Sequence, residues 1–518
     1  MRIERTKNAT RNIIFGVLLK IYQLFVPFLL RTAMIYFLGV QYLGLSSLFT
    51  SILQVLNLAE IGVGSAMVYS MYKPIAEDNV TEICALMKLY KIYYRAIGLI
   101  ILVMGLILTP FIPKLISGDV PQDINIYVLY LMNLMATVCS YWLFAYKSCL
   151  LYANQRVDVI SKVTLITSTI QYFLQFCVLY LFRNYYGYLL IVLLIQVVTN
   201  IVTAMIVSKM YPQYQARGKL EKVKIHEINN RIKDLFTSKV GAVILNSADT
   251  IVISSFLGLK VLAVYQNYYF IMTSVIGVIT TFFTACTAGI GNSVIVETEE
   301  KNFNDLKKFT LLVSWMAGFC VCCFACLYQP FMKLWVGESL MLDFRAVLCF
   351  GLYYYVYEIN QLLNTYKDAA GIWHEDRYRP LITALTNLGM NLIMVQFWGI
   401  YGVLLSTVLS ILIVGMPWLL HNLFSTLFEK EMLFSYLRKL FFYTVVSGMV
   451  CFSCYMICQL VTGDSIICLV IKMAICCIVP NILFLCLYFK QTEFKQCIIM
   501  IDNMTKRRFH LKRVFNLE

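Results

Sequence analysis

Lys20-Ile-Tyr-Gln23-Leu-Phe-Val-Pro27-Phe-Leu-Leu-Arg31-Thr-Ala-Met-Ile-Tyr-Phe-Leu-Gly39-Val-Gln41 opens the stretch that decides the fold. It runs on through Asn57, Glu60, Gly62 and Gly64 to Lys73. The pattern is two apolar helices joined by a tight turn at Gly39-Val40-Gln41, each long enough to cross a bilayer. In the first helix, Lys20, Gln23, Pro27 and Arg31 stand at i, i+3, i+7 and i+11. At ~3.6 residues per turn they share one face. Lys20 and Glu60 both lie roughly 28–30 Å from the turn, at ~1.5 Å per residue, and so at similar depth. An ionised side chain in hydrocarbon costs several kcal/mol, so this stripe is expected to face the bundle interior or a wet cavity. The plainer reading is that Lys20 and Arg31 snorkel to the two surfaces. They stand about 10 and 12 Å from the helix ends, which makes that reach a stretched one.

Composition sets the class. Of 518 residues, 60% are hydrophobic and 14% charged, against about 45–50% and ~25% in soluble domains. The chain therefore reads as a polytopic membrane protein. The basic start, Arg2 to Arg11, runs into an apolar stretch too long for a signal-peptide core and without a small-residue cleavage site. The 18 cysteines fall mostly within apolar runs. Cys320, Cys323 and Cys326 mimic metal-ligand spacing, but with no histidine nearby they read as small packing residues. Neither a metal, a cofactor nor a disulfide framework is expected.

Fourteen apolar spans are expected, at about 13–38, 42–70, 88–112, 124–148, 158–182, 186–208, 236–257, 261–293, 309–332, 344–366, 379–398, 401–424, 437–461 and 466–489. With a cytoplasmic N-terminus, 34 of the 43 Lys and Arg fall in inside segments, five in outside loops and four within spans. That asymmetry follows the positive-inside rule and sets both termini in the cytoplasm. The net charge of +15 is thereby a matter of topology, and nucleic acid is excluded as a partner. No outside loop is long enough for an extracytoplasmic domain.

The sequence also repeats itself. Phe37-Leu38-Gly39-Val40-Gln41-Tyr42-Leu43-Gly44 ends span one, and Phe256-Leu257-Gly258-Leu259-Lys260-Val261-Leu262-Ala263 ends span seven. The same shift of 219 residues brings Lys20 onto Lys239. A second echo pairs Tyr186-Gly187-Tyr188-Leu189-Leu190 with Tyr401-Gly402-Val403-Leu404-Leu405. Both halves begin inside and hold six spans, so the repeat is parallel. The expected fold is all-α: an N-terminal lobe at 1–210, a cytoplasmic linker at 211–235, a C-terminal lobe at 236–430, and a helix pair with a basic tail at 431–518.

Further polar positions lie along the proposed pathway. Span seven carries Asn246 and Asp249. Span ten carries Glu358, Gln361 and Thr365 on one face. Asn387, Asn391, Gln171 and Gln175 read as interhelical glue, worth ~0.6 kcal/mol each. Pro27 removes a backbone hydrogen bond mid-helix and reads as a hinge or as a static kink. No phosphate loop, no metalloprotease motif and no nucleophile–base pair is present. The chain therefore does not read as an enzyme. The basic C-terminus, Lys506-Arg507-Arg508 through Lys512-Arg513, reads as an amphipathic segment on anionic lipid.

Arg31, Phe37-Leu38-Gly39, Tyr42-Leu43-Gly44-Leu45, Leu58-Ala59-Glu60-Ile61-Gly62-Val63-Gly64-Ser65-Ala66, Tyr72-Lys73-Pro74 and Asp249-Thr250-Ile251-Val252-Ile253 together resemble bacterial polysaccharide-biosynthesis flippases. These are the Wzx-type members of the multidrug/oligosaccharidyl-lipid/polysaccharide (MOP) exporter superfamily. The resemblance covers essentially the whole chain. It implies alternating access and a substrate of undecaprenyl-pyrophosphate-linked oligosaccharide, moved from the inner to the outer leaflet of the cytoplasmic membrane. It also implies a cavity between lobes in which cations meet the pyrophosphate. The residues agree in sign: Lys20, Arg31 and Lys239 are candidate substrate ligands, with Glu60, Asp249 and Glu358 balancing charge. Arg31 suits a bidentate contact and Lys20 a point charge. The expected partners are the lipid-linked substrate, membrane lipids and a polysaccharide polymerase.

Two alternatives stand beside this reading. A MATE-like drug–cation antiporter of the same fold would place a carboxylate in the first helix of a lobe. Here that helix carries cations, although Asp249 keeps the option open. A membrane enzyme polymerising lipid-linked sugars would need an outward-facing domain that the short outside loops do not supply.

Overall fold

The computed structural model describes residues 5–118 and 120–504, so the basic tail Lys506–Arg513 lies outside the described residues. Those residues form seventeen α-helices, a few short 3-10 and π turns, and no strand. In order they are α1 (Arg5–Phe37), α2 (Val40–Leu56), α3 (Val63–Ala76), α4 (Val80–Leu108), α5 (Ile126–Trp142), α6 (Ser148–Ala153), α7 (Val157–Phe182) and α8 (Tyr185–Met210). Then follow α9 (Lys222–Val296), α10 (Glu299–Val336), α11 (Phe344–Ala369), α12 (Arg379–Trp398), α13 (Ile400–Ser410), α14 (Met416–Thr426), α15 (Met432–Gln459), α16 (Ile466–Tyr488) and α17 (Thr492–Met504). Large apolar side chains such as Phe173, Leu181 and Phe182 stand exposed. That is the expected surface of a bundle solvated by lipid, and an unusual one in water. Helix starts follow local chemistry: Asn79, Asn125, Asn184, Thr298, Asp343 and Ser465 each accept a first-turn amide.

Length and apolarity alone pick out eleven membrane-crossing helices among the described residues. The number is twelve if Ile126–Trp142 and Ala145–Ala153, bent by 44°, form one span. The sequence reading counts fourteen, and two places account for the difference. Lys239–Val296 is a single run of 58 residues, far beyond the ~20 that one span needs. It is broken at Gly258 (φ 87°, ψ 171°), where spans seven and eight are expected to meet. Phe344–Ala369, expected as span ten, is a full helix. Its apolarity is diluted by Arg345, Glu358, Asn360, Gln361 and a run of tyrosines.

The chain forms two compact units, Met1–Ala263 and Val264–Glu518. In the first, α1 packs on α7, α4 on α5, and α8 on both α5 and α7, over fully buried residues that include Leu45, Phe49, Met67, Ile101 and Leu134. Span two is not the single helix its apolar run suggests. α2 stops at Leu56, a 3-10 turn covers Asn57–Glu60, and Gly62 takes a left-handed conformation (φ 89°, ψ −26°) before α3 begins. A Cβ at Gly62 would lie 2.8 Å from Leu235 Cβ and 3.0 Å from Ile232 O. Glycine is therefore required there by conformation and by space.

The polar stretch 211–235 is also more structured than a linker. It is helical from Lys222 and tied to α3 and α4. Lys224 Nζ donates to Glu82 Oε1 at 2.6 Å, Tyr93 Oη donates to Asn229 Oδ1 at 2.6 Å, and the Gln215 amide donates to Cys84 Sγ at 3.3 Å. The Arg231 guanidinium lies 4.4 Å over the Tyr69 ring.

In the second unit α10 is the centre, contacted by α11, α15, α16 and α17, while α12 packs on α13. The C-terminal helix pair, expected as an addition, is α15 and α16, both on α10. Between α13 and α14 the backbone widens into a π-turn at Ile411–Gly415. Pro417 follows immediately; its ring would clash with the carbonyl four residues back, and a wider turn relieves that clash.

Candidate transport site

The break in span two builds a polar site in the first unit. Glu60 sits in the 3-10 turn and accepts from the Gly64 amide at the start of α3, where the helix dipole favours a carboxylate. From α4, Tyr94 Oη donates to Glu60 Oε1 at 3.2 Å, and Tyr90 Oη donates to Tyr94 Oη at 2.5 Å. The Tyr141 ring stands edge-on to Tyr94 at 5.4 Å. Gly64 leaves room for this group: a Cβ there would come within 3.1 Å of Glu60 Oε1 and 3.3 Å of Tyr90 Oη. Asn57 Oδ1, in the same turn, is buried and accepts no hydrogen bond from the described residues.

Two stretches of α9 carry candidate residues. Lys239 is exposed, and its charge acts directly on the Glu60 carboxylate. Further along α9, Ser247 Oγ lies 3.4 Å from Gln54 Oε1 on α2. Asp249, two residues on, is 5% exposed.

Arg31 belongs to a different environment. It is half-buried on α1, where its charge interacts with Tyr188 on α8. Tyr188 stacks on Tyr185 at 5.7 Å, and Tyr185 meets Tyr42 edge-on at 5.3 Å. Tyr42 Oη in turn donates to both carboxylate oxygens of Asp123 at 2.6 Å. On the same helix, a groove of about 710 Å³ opens between α1 and α7, lined by Tyr22, Leu30, Tyr36, Phe173, Phe176 and Tyr180 among others, and Arg31 does not line it. Lys20 and Gln23 are exposed on α1. The helix runs unbroken through Pro27, and Thr32 Oγ1 turns back to Phe28 O at 2.9 Å.

The candidates therefore fall into groups. Lys239 acts electrostatically on Glu60, Arg31 sits near Tyr188, and Lys20 lies far along α1. Glu358 is in the second unit, 1% exposed, beside Tyr354 and Cys320. Also in that unit, Asn387 Nδ2 donates to Thr407 Oγ1 at 2.9 Å and Asn391 Nδ2 to Asn387 Oδ1 at 3.2 Å. Ser406 donates to Asn391 as well. The two asparagines join α12 to α13, as glue residues do.

Sequence reasoning missed Tyr90 and Tyr94, which read as apolar span residues. The only signal was their i, i+4 spacing. It also missed a buried ionic network in the second unit. Arg379 Nε and Nη2 donate to the two Asp376 oxygens at 2.6 and 2.8 Å, and Asn422 Nδ2 adds a bond to Asp376 Oδ1 at 3.1 Å. In the sequence these charges count only toward topology.

No family model matches the sequence, and no curated protein does. Solved structures do match. The lipid II flippase MurJ in an inward closed conformation superposes with a TM-score of 0.64 at 17% identity, over 92% of this chain and 99% of that one. An inward-facing multidrug-resistance MATE transporter of the MOP superfamily gives 0.60 at 14% identity, over 77% and 93%. A point mutant of the Vibrio cholerae MATE transporter VcmN gives 0.54 at 14%, over 80% and 96%. At these identities the likeness is one of fold: this multi-pass membrane chain has the helical architecture shared by MurJ and the MATE transporters.

Proposed function

We propose that the chain is a flippase that carries undecaprenyl-pyrophosphate-linked oligosaccharide from the inner to the outer leaflet of the bacterial cytoplasmic membrane, by alternating access, for polysaccharide biosynthesis. The observation that carries this reading is the sign of charge on α1. Lys20 and Arg31 stand on it, and no Asp or Glu occurs between Arg5 and Phe37. A pyrophosphate cannot cross hydrocarbon without cationic partners. The aromatic groove between α1 and α7 supplies an apolar surface for a prenyl chain on the same helix that carries Arg31. Lys239 supplies a further cation, with Glu60 and Asp249 balancing charge while the substrate is absent. Both termini lie in the cytoplasm in this reading, and access alternates between the two leaflets, with Pro27 as a hinge. A polymerase in the same membrane consumes the delivered unit.

The test is surface-glycan display in cells that lack the native transporter and express the chain or its variants at matched levels. Display that depends on Arg31 supports the flippase. A second reading, a MATE-like drug–cation antiporter, is favoured by the buried Asp249 and by the MATE neighbours. Drug resistance without glycan display, abolished by Asp249→Asn, would establish it instead.

A further inference from the structure

Four cysteines from three helices converge in the second unit. Cys326 comes from α10, Cys454 and Cys458 from successive turns of α15, and Cys476 from α16. All four are buried, with their sulfurs within 4.8 Å of one another. Cys326 Sγ lies 3.9 Å from Cys454 Sγ, and Cys458 Sγ 3.9 Å from Cys476 Sγ. A tetrahedral thiolate site with metal–sulfur bonds of ~2.3 Å separates its sulfurs by ~3.8 Å. The cluster therefore needs only small rotamer adjustments to close on an ion. Packing alone would be satisfied by any small apolar side chain and gives no reason for four sulfurs to meet.

A second observation bears on the same place. A cavity of about 250 Å³ reaches from Lys333, Asp464 and Lys472 down to Cys326 and Cys458. Lys333 is held at its mouth by Asp464 and Glu338, at 2.5 and 2.6 Å. The thiols are thus joined to a polar, cation-bearing opening although they lie among apolar residues.

We propose that Cys326, Cys454, Cys458 and Cys476 form a binding site for a thiophilic d10 metal cation, with zinc(II) the divalent and copper(I) the monovalent member of that class. On binding, sulfur–metal bonds form as sulfur–hydrogen bonds break, and the protons leave through the polar cavity. Four thiolates around zinc release four protons and leave a net charge of −2; Lys472 in the same cavity answers part of it, while Lys333 is already held by Asp464 and Glu338. No electron is transferred. The ion would fasten α15 and α16 to α10, the contact that holds the C-terminal helix pair.

The test uses the full-length protein in detergent, purified under reductant and loaded separately with Zn²⁺, Cu⁺ and Co²⁺, then dialysed. About one ion should be retained per chain, and cobalt should show the sulfur-to-metal charge-transfer absorption and visible spectrum of a tetrahedral thiolate site. Retention should fall to background in Cys454→Ala/Cys458→Ala and stay unchanged in Cys477→Ala, an exposed control. Cys476→Ala serves if the double variant misfolds. Three results overturn the proposal: a wild-type protein that keeps no ion, retention unaffected by these substitutions, or a Cys326–Cys454 disulfide found by mass spectrometry in its place.

Discussion

Gly39 and Gly258, 219 residues apart, adopt nearly the same backbone conformation, at φ 113°, ψ 163° and φ 87°, ψ 171°. That region is open almost only to glycine. The repeated Phe-Leu-Gly motif is thus a repeated turn. Leu259 presses its carbonyl on Gly44, where a Cβ would approach to 2.2 Å, which explains why the motif ends in a small residue. Gly118 and Gly337 extend the register, with φ 78° and 82° at the same separation.

The two turns differ in their surroundings, and this separates their mutants. A Cβ on Gly39 meets nothing within 4 Å, whereas one on Gly258 would lie 2.7 Å from Ser117 O. Gly39→Ala should cost the backbone strain alone, about 1–3 kcal/mol. Gly258→Ala should cost more and disturb the bond from the Ser117 amide to Ser254 O, 2.9 Å long. Thermal unfolding in detergent compares them. Equal melting temperatures would show that the Ser117 contact is unimportant.

Breaking the buried network in the second unit should be severe. Asp376→Ala leaves the guanidinium of Arg379, a residue only 6% exposed, without its bidentate partner. Removal of one member of a buried pair typically costs about 3–5 kcal/mol. Glu77→Ala removes an exposed partner of Lys73 at 3.9 Å and should cost under about 1 kcal/mol. Expression and melting temperature of the two variants give the comparison, and similar values would refute it.

Glu60 and Lys239 should be coupled. Lys239→Ala is expected to impair glycan display, and Glu60→Gln likewise. The double variant should be less impaired than the two losses combined, since neither charge is then left alone. Strict additivity would separate the two residues functionally.

On α1, Arg31→Lys keeps the charge but loses the planar fork. It should reduce display partially, and Arg31→Ala should abolish it without loss of the protein from the membrane. If Arg31 is only an interface anchor, lysine will replace it freely. Full display with Lys20→Ala and Arg31→Ala combined would remove this stripe from the mechanism.

The helical class was legible because long apolar runs leave few other solutions, and the spans around Gly39 and Gly258 were legible because their turn demands glycine. The break in span two was not. Asn57 to Gly62 lies within an apolar run, and what stabilises the break comes from elsewhere: Tyr94 on α4, and Leu235 far along the chain. Tyr90 and Tyr94 carry the same hydropathy whether they face lipid or a carboxylate. The cysteine cluster was invisible for the same reason. Cys326 and Cys454 are 128 positions apart, and the spacing that drew notice, Cys320 to Cys326, runs along one helix and contributes one ligand.

The interruption at Glu60 bears on how the protein is made. α2 has 17 residues and α3 has 14, about 26 and 21 Å of helix, and neither alone matches a hydrocarbon core of roughly 30 Å. The insertion machinery must therefore accept Val40–Ala76 as one continuous 37-residue segment. The fracture then awaits partners still to be synthesised, because Ile232 and Leu235 wedge against Gly62 only after α4 to α8 have emerged. In chain order, span two is thus synthesised before the residues that pack against its break.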